Sequence, residues 1–263
     1  MAAIRVAVNG ATGKMGREVV AALCREPDME PVGAVCRQPR GNSLNLPDGS
    51  GDIPLSTSLE EVLKSTSPHV LVDFSNAEVS MAAAPVAARR GVNLVIGTTG
   101  LSPENLQELD RITKEQSIGI IVAPNFALGA VLLMHLARQA APFFEYVDII
   151  EMHHEAKIDA PSGTALAMAR GIAQGRQYKR NHPEKEPLPG TRGGEYNGVG
   201  IHSVRMAGRS AHHEVIFGTG GQTLSLRHDT LGRDCYMPGV MRAIREAVNL
   251  KGLVVGLDKI LGL

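Results

Sequence analysis

The sequence has no excess charge of either sign, few cysteines and no long apolar run. Its 27 basic and 27 acidic residues give a formal net charge of zero without a dense basic patch, so nucleic acid is not expected as a partner. No apolar run reaches the ~20 residues that span a bilayer. Residues 1–6 lead straight into a predicted strand, so no secretory signal is expected. The three scattered cysteines include no CxxC pair, which is typical of reduced thiols in the cytoplasm.

The length and apolar content favour two domains. The chain has 263 residues, of which 43% are hydrophobic, and a typical domain has about 100–150 residues. Apolar strands alternate with helices through the first half, which predicts an α/β fold with a doubly wound parallel sheet. The strands predicted at 201–206, 213–217 and 222–228 favour a second, open sheet that is largely antiparallel, with helices on one side. Residues 39–58 and 176–200 are rich in Gly and Pro and are predicted to be loops, the second with solvated charges.

A glycine-rich turn follows the first predicted strand. Gly10, Gly13 and Gly16 stand between that strand and a helix, at the start of a predicted βαβ unit. This arrangement is typical of a turn that places a pyrophosphate on the N-terminus of the helix. Arg37 follows the second predicted strand, with no acidic residue before Asp48. An arginine there favours a ribose 2′-phosphate, and so NADP(H); the alternative is that Arg37 is an ordinary surface charge.

Small or polar residues recur where the predicted parallel strands end. The four segments are Gly10–Gly13, Phe74–Ser75, Gly97–Gly100 and Ala123–Phe126. In open α/β sheets, ligands bind beyond the carboxyl ends of the strands. Each segment alone is compatible with plain turn chemistry, but their recurrence favours a long cofactor lying across one edge of the sheet.

The densest group of reactive side chains lies at residues 151–165. The segment connects a predicted strand to a predicted helix, a kind of connection that often carries function. His153 and His154 can exchange protons near neutral pH, Lys157 is a cation suited to a carboxylate, and Gly163 with Thr164 opens a helix whose free N–H groups suit an anion. The segment therefore suits binding and protonation of a small carboxylated molecule.

Two structural interpretations of the same segment stay open. Asp159, Pro161 and Ser162 are also the residue types that start helices, so they need have no other role. Because neighbouring strand residues point to opposite faces, one of the two adjacent histidines can be purely structural.

These motifs together resemble the 4-hydroxy-tetrahydrodipicolinate reductase (dihydrodipicolinate reductase) family. The most specific match is Glu151-x-His-His-x-x-Lys-x-Asp-x-Pro-Ser-Gly-Thr-Ala165. The weaker matches are Gly10-Ala-Thr-Gly-Lys-Met-Gly16, Val72-Asp-Phe-Ser75, Gly97-Thr-Thr-Gly100, Ala123-Pro-Asn-Phe126 and Gly200-Ile-His-Ser-Val-Arg205. They follow the expected order over essentially the whole chain.

The resemblance implies an NAD(P)H-dependent reduction of 4-hydroxy-tetrahydrodipicolinate to tetrahydrodipicolinate, in the diaminopimelate route to lysine. It implies a Rossmann-like domain at 1–126, an α+β substrate-binding and oligomerisation domain at 127–233 with an open mixed or antiparallel sheet, and a C-terminal segment at 234–263 that returns to the first domain. It also implies a homotetramer in the cytoplasm that acts on a small cyclic imine dicarboxylate. NADPH is the preferred cofactor, with NADH as a second one; Cys36, where members that use NADH readily often have an acidic residue, favours NADPH.

The resemblance also assigns roles to single residues. His153 and Lys157 are the expected proton-transfer residues, and His154, Gly163 and Thr164 the expected substrate contacts. No metal is expected. The expected cofactor contacts are Gly10, Ala11, Thr12, Gly13, Lys14, Met15, Arg37, Gly97, Thr98, Thr99, Ala123, Pro124, Asn125 and Phe126.

Three other functions remain as alternatives. A zinc hydrolase would use His153, His154, His212, His213 and Cys235, although their spacing does not match HExxH. A non-catalytic NADP-binding regulator would keep the fold but has no need of the proton-transfer residues. Another two-domain NAD(P)-dependent dehydrogenase of amino-acid metabolism would lack a reason for the His-His-x-x-Lys cluster.

Overall fold

The computed structural model describes residues 2–263 and divides them into two compact units. The first unit comprises the residues up to Leu128 together with Arg233–Leu263, and the second comprises Gly129–Gly232. Met1, where the first predicted domain begins, lies outside the described residues. Within residues 2–263, every helix is too short or too polar to cross a membrane.

Strands and helices alternate along the first part of the chain, as the apolar pattern predicts. They are β1 (Ile4–Asn9), α1 (Lys14–Leu23), β2 (Met29–Val35), β3 (Ser43–Asn45), β4 (Asp52–Ser56), α2 (Leu59–Thr66), β5 (Val70–Asp73), α3 (Ala77–Ala88), β6 (Asn93–Ile96), α4 (Pro103–Gln116) and β7 (Gly119–Val122). Local sequence sets several boundaries. The side chains of Asn76 and Ser102 accept hydrogen bonds from the first turns of α3 and α4, so both helices begin at capping residues.

The remaining elements belong to the second unit and to the returning C-terminal segment. The second group is α5 (Leu128–Ala140), a 3-10 turn (Ala141–Phe143), β8 (Tyr146–His153), α6 (Gly163–Ile172), β9 (Gly194–Tyr196), β10 (Val199–Arg205), β11 (Ala211–Thr219) and β12 (Gln222–Thr230). The chain then forms a 3-10 turn (Arg233–Tyr236), α7 (Met237–Ala247), β13 (Gly252–Val255) and α8 (Leu257–Leu261).

An eight-stranded sheet organises the first unit, in the order β13-β7-β6-β5-β1-β2-β4-β3. All neighbouring strands are parallel except β3 and β4. Helices α2, α3 and α4 pack together on one face, and α1 and α7 pack together on the other. Leu71, Leu94 and Ile120 are fully buried in this core. The predicted doubly wound parallel sheet is confirmed, and its carboxyl ends share one edge.

A five-stranded sheet organises the second unit, in the order β12-β11-β8-β10-β9. Helices α5 and α6 cover one of its faces through residues such as Leu133 and Met168. A hairpin turn at Gly220–Gly221 joins β11 and β12. Three of its four strand pairs are antiparallel, and β10 runs parallel to β8, so the expected open sheet that is largely antiparallel is confirmed in its mixed form. The long connection through α6 supplies the crossover that a parallel pair requires.

Two predicted loops contain strands. Residues 39–58 include β3 and β4, where Ile53 and Leu55 are buried on alternate positions; glycines and prolines around this short alternation hide it in the sequence. Residues 176–200 include β9 and the start of β10. The expectation of solvated charges there is wrong for Arg180, whose side chain is only 5% exposed and lies 3.5 Å from carboxylate oxygens of both Asp148 and Glu195.

Candidate active site

The alternation of β8 explains why one of two adjacent histidines is buried. Val147, Ile149, Glu151 and His153 occupy the buried positions of this strand, on the face where Val147 and Ile149 join the core under α5 and α6. The polar pair therefore continues a core-facing row to the end of the strand. His154, one residue later, is exposed.

Glu151 is a buried carboxylate whose two oxygens are fully engaged. Nη1 and Nη2 of Arg205 donate to Oε2 and Oε1 at 2.9 and 2.8 Å, and the backbone N–H of Ser162 donates to Oε1 at 3.1 Å. Burial raises the pKa of Glu151, but the hydrogen bonds from Arg205 and its other neighbours outweigh it and bring the pKa to about 2. The group is therefore a carboxylate at any physiological pH.

His153 leans on this carboxylate. Its Nδ1 lies 2.5 Å from Oε2 of Glu151, and the residue is 7% exposed. Burial lowers the pKa of His153; Glu151 raises it in part, and the positive charges of Lys157 and Arg205 lower it further. The imidazole can thus change its protonation state while one of its nitrogens stays anchored.

His213 closes the other side of the cluster from β11. Its ring meets that of His153 edge to face, with centroids 5.5 Å apart, and its Nε2 lies 3.3 Å from Oγ of Ser162. Burial, followed by the charge on His153, lowers the pKa of His213 to about 4. Near pH 7, His213 is therefore an uncharged imidazole packed against His153.

Lys157 lies on the loop that leaves β8. The backbone N–H of Lys157 donates to the carbonyl of His154 at 3.2 Å, which folds the loop back toward the strand end. The Lys157 ammonium is 2.6 Å from Oδ1 of Asp159, and the hydrogen bond from Lys157 lowers the pKa of Asp159. Asp159 is thus a partner of Lys157, and its carboxylate also interacts with the backbone N–H of Gly163 at the start of α6.

The start of α6 lies directly beneath the same loop. Ser162 is the N-cap, and its side chain accepts a hydrogen bond from the N–H of Ala165, so the capping interpretation holds for this residue. Pro161 precedes the cap instead of opening the helix. Gly163 is exposed and has open space where a Cβ would project. Gly163 and Thr164 therefore present backbone at the helix N-terminus, where anions are favoured.

In the first unit, the turn between β1 and α1 is shaped by three glycines. Gly10 has φ +77°, and a Cβ on Gly16 would collide with the carbonyl of Gly10. At Gly13, the N-cap, no side chain caps α1, so the first N–H groups of the helix are open to a ligand. This cradle of open N–H groups fits the pyrophosphate of a dinucleotide, with Ala11, Thr12, Lys14 and Met15 in the same turn.

Phe74, at the end of one parallel strand, lies close to the segments that follow three other strands. A Cβ on Gly10 would lie 3.0 Å from the carbonyl of Phe74, and one on Gly97 would collide with its ring. The rings of Phe74 and Phe126 have centroids 5.9 Å apart. The turn at 10–15 and the segments 97–99 and 123–126 therefore lie together at the carboxyl edge. Thr98 is buried there, whereas Thr99 and Pro124 are exposed, as is Arg37 after β2.

Sequence reasoning gave no role to Glu151, Arg205 or His213 in the chemistry. Glu151 and Arg205 appeared only as letters of matching motifs, and His213 only in the zinc alternative. Strand parity carries a usable signal: Glu151 lies opposite His213 of β11 and Ser203 of β10 in register. The fold decides which strands pair, so the proximity of Glu151 to residues of β10 and β11 can be recognised only once the strand order is known. Within residues 2–263, no group of three or more His, Cys, Asp or Glu side chains is arranged to hold a metal ion.

Comparison with known proteins gives matches over both units. The family profile described as "Dihydrodipicolinate reductase, N-terminus" matches residues 4–126, and the profile for the C-terminus matches residues 129–261. Relatives named 4-hydroxy-tetrahydrodipicolinate reductase include one from Dehalococcoides mccartyi, 52% identical over 100% of both chains, and one from Moorella thermoacetica, 46% identical over 99% of both.

Solved structures give the same picture. A dipicolinate-bound dihydrodipicolinate reductase from Paenisporosarcina sp. TG-14 superposes with a TM-score of 0.88 at 41% identity, covering 98% of this chain and 99% of that one. An amine dehydrogenase from Mycobacterium smegmatis superposes with a TM-score of 0.67 at 17% identity, covering 97% and 95%. The second likeness concerns the fold alone.

Proposed function

Because the chain belongs to the dihydrodipicolinate reductase family along nearly its whole length, we propose that His153 and Lys157 manage the proton in that family's reaction. The chain is an NAD(P)H-dependent oxidoreductase that reduces 4-hydroxy-tetrahydrodipicolinate to tetrahydrodipicolinate in the diaminopimelate route to lysine. The observation that supports the roles most strongly is the buried Glu151–His153 pair at the end of β8, with the Lys157 ammonium beside it.

Substrate binding falls to the loop after β8 and the start of α6. The substrate is a small cyclic imine with two carboxylates. The N–H groups at Gly163 and Thr164 hold one carboxylate at the positive end of the helix. Lys157 and His154 offset the rest of the negative charge. The Asp159 side chain, which is 48% exposed, holds the Lys157 ammonium and interacts with the N–H of Gly163, so it releases both groups to the substrate carboxylate.

A nicotinamide dinucleotide would supply the hydride when bound, which is the harder part of the reduction. The chain's own part is to hold the cofactor, orient the ring and deliver one proton. The 4-hydroxyl of the substrate leaves as water with a hydrogen from the substrate's own ring, so that dehydration, hydride addition and protonation together balance the conversion to tetrahydrodipicolinate. The open N–H groups of α1 and the turn at Gly10–Met15 would hold the pyrophosphate, and the segments 97–99 and 123–126 would contribute further contacts. His153 or Lys157 delivers the proton; placed proton transfer of this kind contributes about 10²–10⁴-fold in rate.

NADPH is the proposed preferred cofactor, with NADH as a second one. Arg37 is exposed just after β2, where a guanidinium can meet a ribose 2′-phosphate, and Cys36 supplies no carboxylate for a ribose diol. We also propose a homotetramer in the cytoplasm. The family resemblance supports the homotetramer. The cysteines, which are odd in number and scattered along the chain, support the cytoplasm.

Substitution of the two proton-transfer residues tests these roles. In His153→Gln and Lys157→Ala, we expect kcat to fall by about 10²–10⁴-fold while the dissociation constant for NADPH stays within about twofold. Turnover is followed by NADPH absorbance with enzymatically generated substrate, and cofactor binding by calorimetry. Lys185→Ala removes an exposed loop lysine and serves as the control. An equal loss of turnover and cofactor affinity would contradict the assignment.

The same assay separates the remaining alternatives. A non-catalytic NADP-binding regulator would bind NADPH without consuming it in the presence of substrate. A dehydrogenase of another amino-acid precursor would be inactive with this substrate, an outcome that the full-length relatives named as reductases argue against.

A further inference from the structure

The buried carboxylate of Glu151 carries out no step of the scheme above, although both of its oxygens are fully hydrogen-bonded. It is fully buried, and each of its oxygens receives two hydrogen bonds from Arg205, Ser162 and His153. A buried charge of this kind is costly unless every lone pair is satisfied. Such an arrangement calls for a reason beyond packing.

We propose that Glu151, clamped by Arg205, is the positioning residue that holds His153 as its Nδ1–H tautomer and so keeps Nε2 for proton exchange with the substrate. This inference rests on the proposed function of His153 and deepens it. Its physical basis is the direction of one hydrogen bond.

That direction follows from the charge of Glu151. Arg205 cannot lose its proton, and its Nη1 and Nη2 each donate to one oxygen, which is the geometry of a bidentate ion pair. An ionised carboxylate only accepts hydrogen bonds, so the nitrogen 2.5 Å from Oε2 must carry the hydrogen. A neutral imidazole has one N–H, which leaves Nε2 of His153 without a proton until the ring becomes cationic.

The other groups around His153 do not compete for Nδ1. Four titratable groups face the ring: Glu151 from its own strand, Lys157 from the loop, Arg205 from β10 and His213 from β11. The two cations disfavour an imidazolium, and His213 bonds to Ser162 instead of His153. Glu151 alone stabilises the protonated ring.

Arg205 also reaches the loop that carries the second proton-transfer residue. Its Nη2 donates to the backbone carbonyl of Asp159 at 2.6 Å, and the Asp159 side chain holds Lys157. The Arg205 guanidinium thus hydrogen-bonds both to Glu151, the partner of His153, and to Asp159, the partner of Lys157. The pair Glu151–Arg205 therefore positions both proton-transfer groups.

The tautomer is measurable in the unmodified protein. With ¹⁵N-labelled histidine, the two-bond correlation pattern identifies which ring nitrogen carries the hydrogen, and a spectrum of His153→Gln identifies the signals of His153. At a pH where the ring is neutral, we expect a protonated Nδ1 and an unprotonated Nε2. The opposite tautomer would overturn the proposal, whatever the activity of any variant.

Glu151→Gln supplies the functional readout. The amide keeps the shape, but it cannot offer an acceptor to Ser162, to Arg205 and to Nδ1 of His153 at once. We expect the ring to turn to its Nε2–H tautomer, kcat to fall by about 10²-fold or more, KM to change far less, and the ionisation of His153 in the pH profile to move to lower pH. Glu155→Gln removes an exposed glutamate from the loop that follows β8 and should leave all four quantities unchanged.

The outcomes separate the two proposals. A folded Glu151→Gln variant with the turnover and pH profile of the original protein would refute the role of Glu151. If that variant does not fold, as judged by circular dichroism, the tautomer of the unmodified protein decides alone. A fully active His153→Gln variant together with an Nδ1–H tautomer would remove the proposed role of His153 and leave the geometric part of the inference standing.

Discussion

His213 gives the second unit a marked sensitivity to acid. Its imidazole is 4% exposed and shares its surroundings with Glu151, His153, His212 and His228. Burial, then the charge on His153, holds the pKa at about 4 in place of 6.5. The unfolded chain takes up a proton near the ordinary value, while the folded protein keeps this ring neutral until the pH is far lower.

The sign and size of the effect follow by linkage. Between pH 6.5 and about 4, the unfolded state binds more protons than the folded state, so stability falls as the pH falls. The contribution is fully present above pH 6.5 and is lost as the pH falls through the window. At 1.36 kcal/mol for each pH unit, the loss is about 3 kcal/mol. The variant His213→Gln lacks this component. Between pH 6.5 and about 4, the unfolding free energy of the original protein should therefore fall by about 3 kcal/mol more than that of the variant.

Denaturant unfolding at several pH values between 7 and 4 measures the difference. The chain has no tryptophan and four tyrosines; three of them, Tyr146, Tyr178 and Tyr196, lie in the second unit. Tyrosine fluorescence therefore reports mainly the unit that contains His213. His182→Gln removes an exposed histidine and should follow the original protein at every pH. Parallel curves for His213→Gln and the original protein would refute the reasoning.

Two further predictions concern the cofactor side of the chain. Gly16→Ala places a methyl group against the carbonyl of Gly10, so we expect a loss of about 1–3 kcal/mol of stability and weaker NADPH binding. The control is Gly220→Ala, whose added methyl group meets open space. Unchanged NADPH binding by Gly16→Ala would contradict the close approach. Arg37→Ser removes the proposed partner of the 2′-phosphate; we expect calorimetry to show NADPH affinity reduced about 10-fold or more and NADH affinity nearly unchanged. Arg40→Ser, also exposed, is the matched control, and equal effects on both cofactors would show that Arg37 is only a surface charge.

The parts of the fold that were predictable are those encoded over short distances. The glycines after β1 are required by the turn itself: Gly10 adopts a positive φ and Gly16 has no room for a Cβ. The caps of α3 and α4 are likewise local, as is the hairpin at Gly220–Gly221. Each involves residues close in the chain, so the pattern is visible without knowledge of the neighbours.

The errors arise where a distant partner changes the outcome. Arg180 carries a charge in a polar, glycine-rich segment and looks solvated, yet Asp148 and Glu195 draw it into a nearly buried position. Strand β4 lies in a segment predicted to be a loop, and it forms because it pairs with the edge of β2. Neither partner can be identified from residues adjacent in the sequence.

The candidate site divides in the same way. The order of side chains in 151–165 sets, by itself, which groups are available: two imidazoles, an ammonium, a capped helix start. Only the pairing of β8 with β10 and β11 brings Arg205 and His213 to that segment. Arg205 lies 54 positions after Glu151 along the chain, and His213 lies 62 positions after it. Chemistry at this site depends on the direction of hydrogen bonds and on burial. Both are properties of the surroundings that distant strands create, so the local sequence names the reactive groups and the tertiary structure sets their protonation.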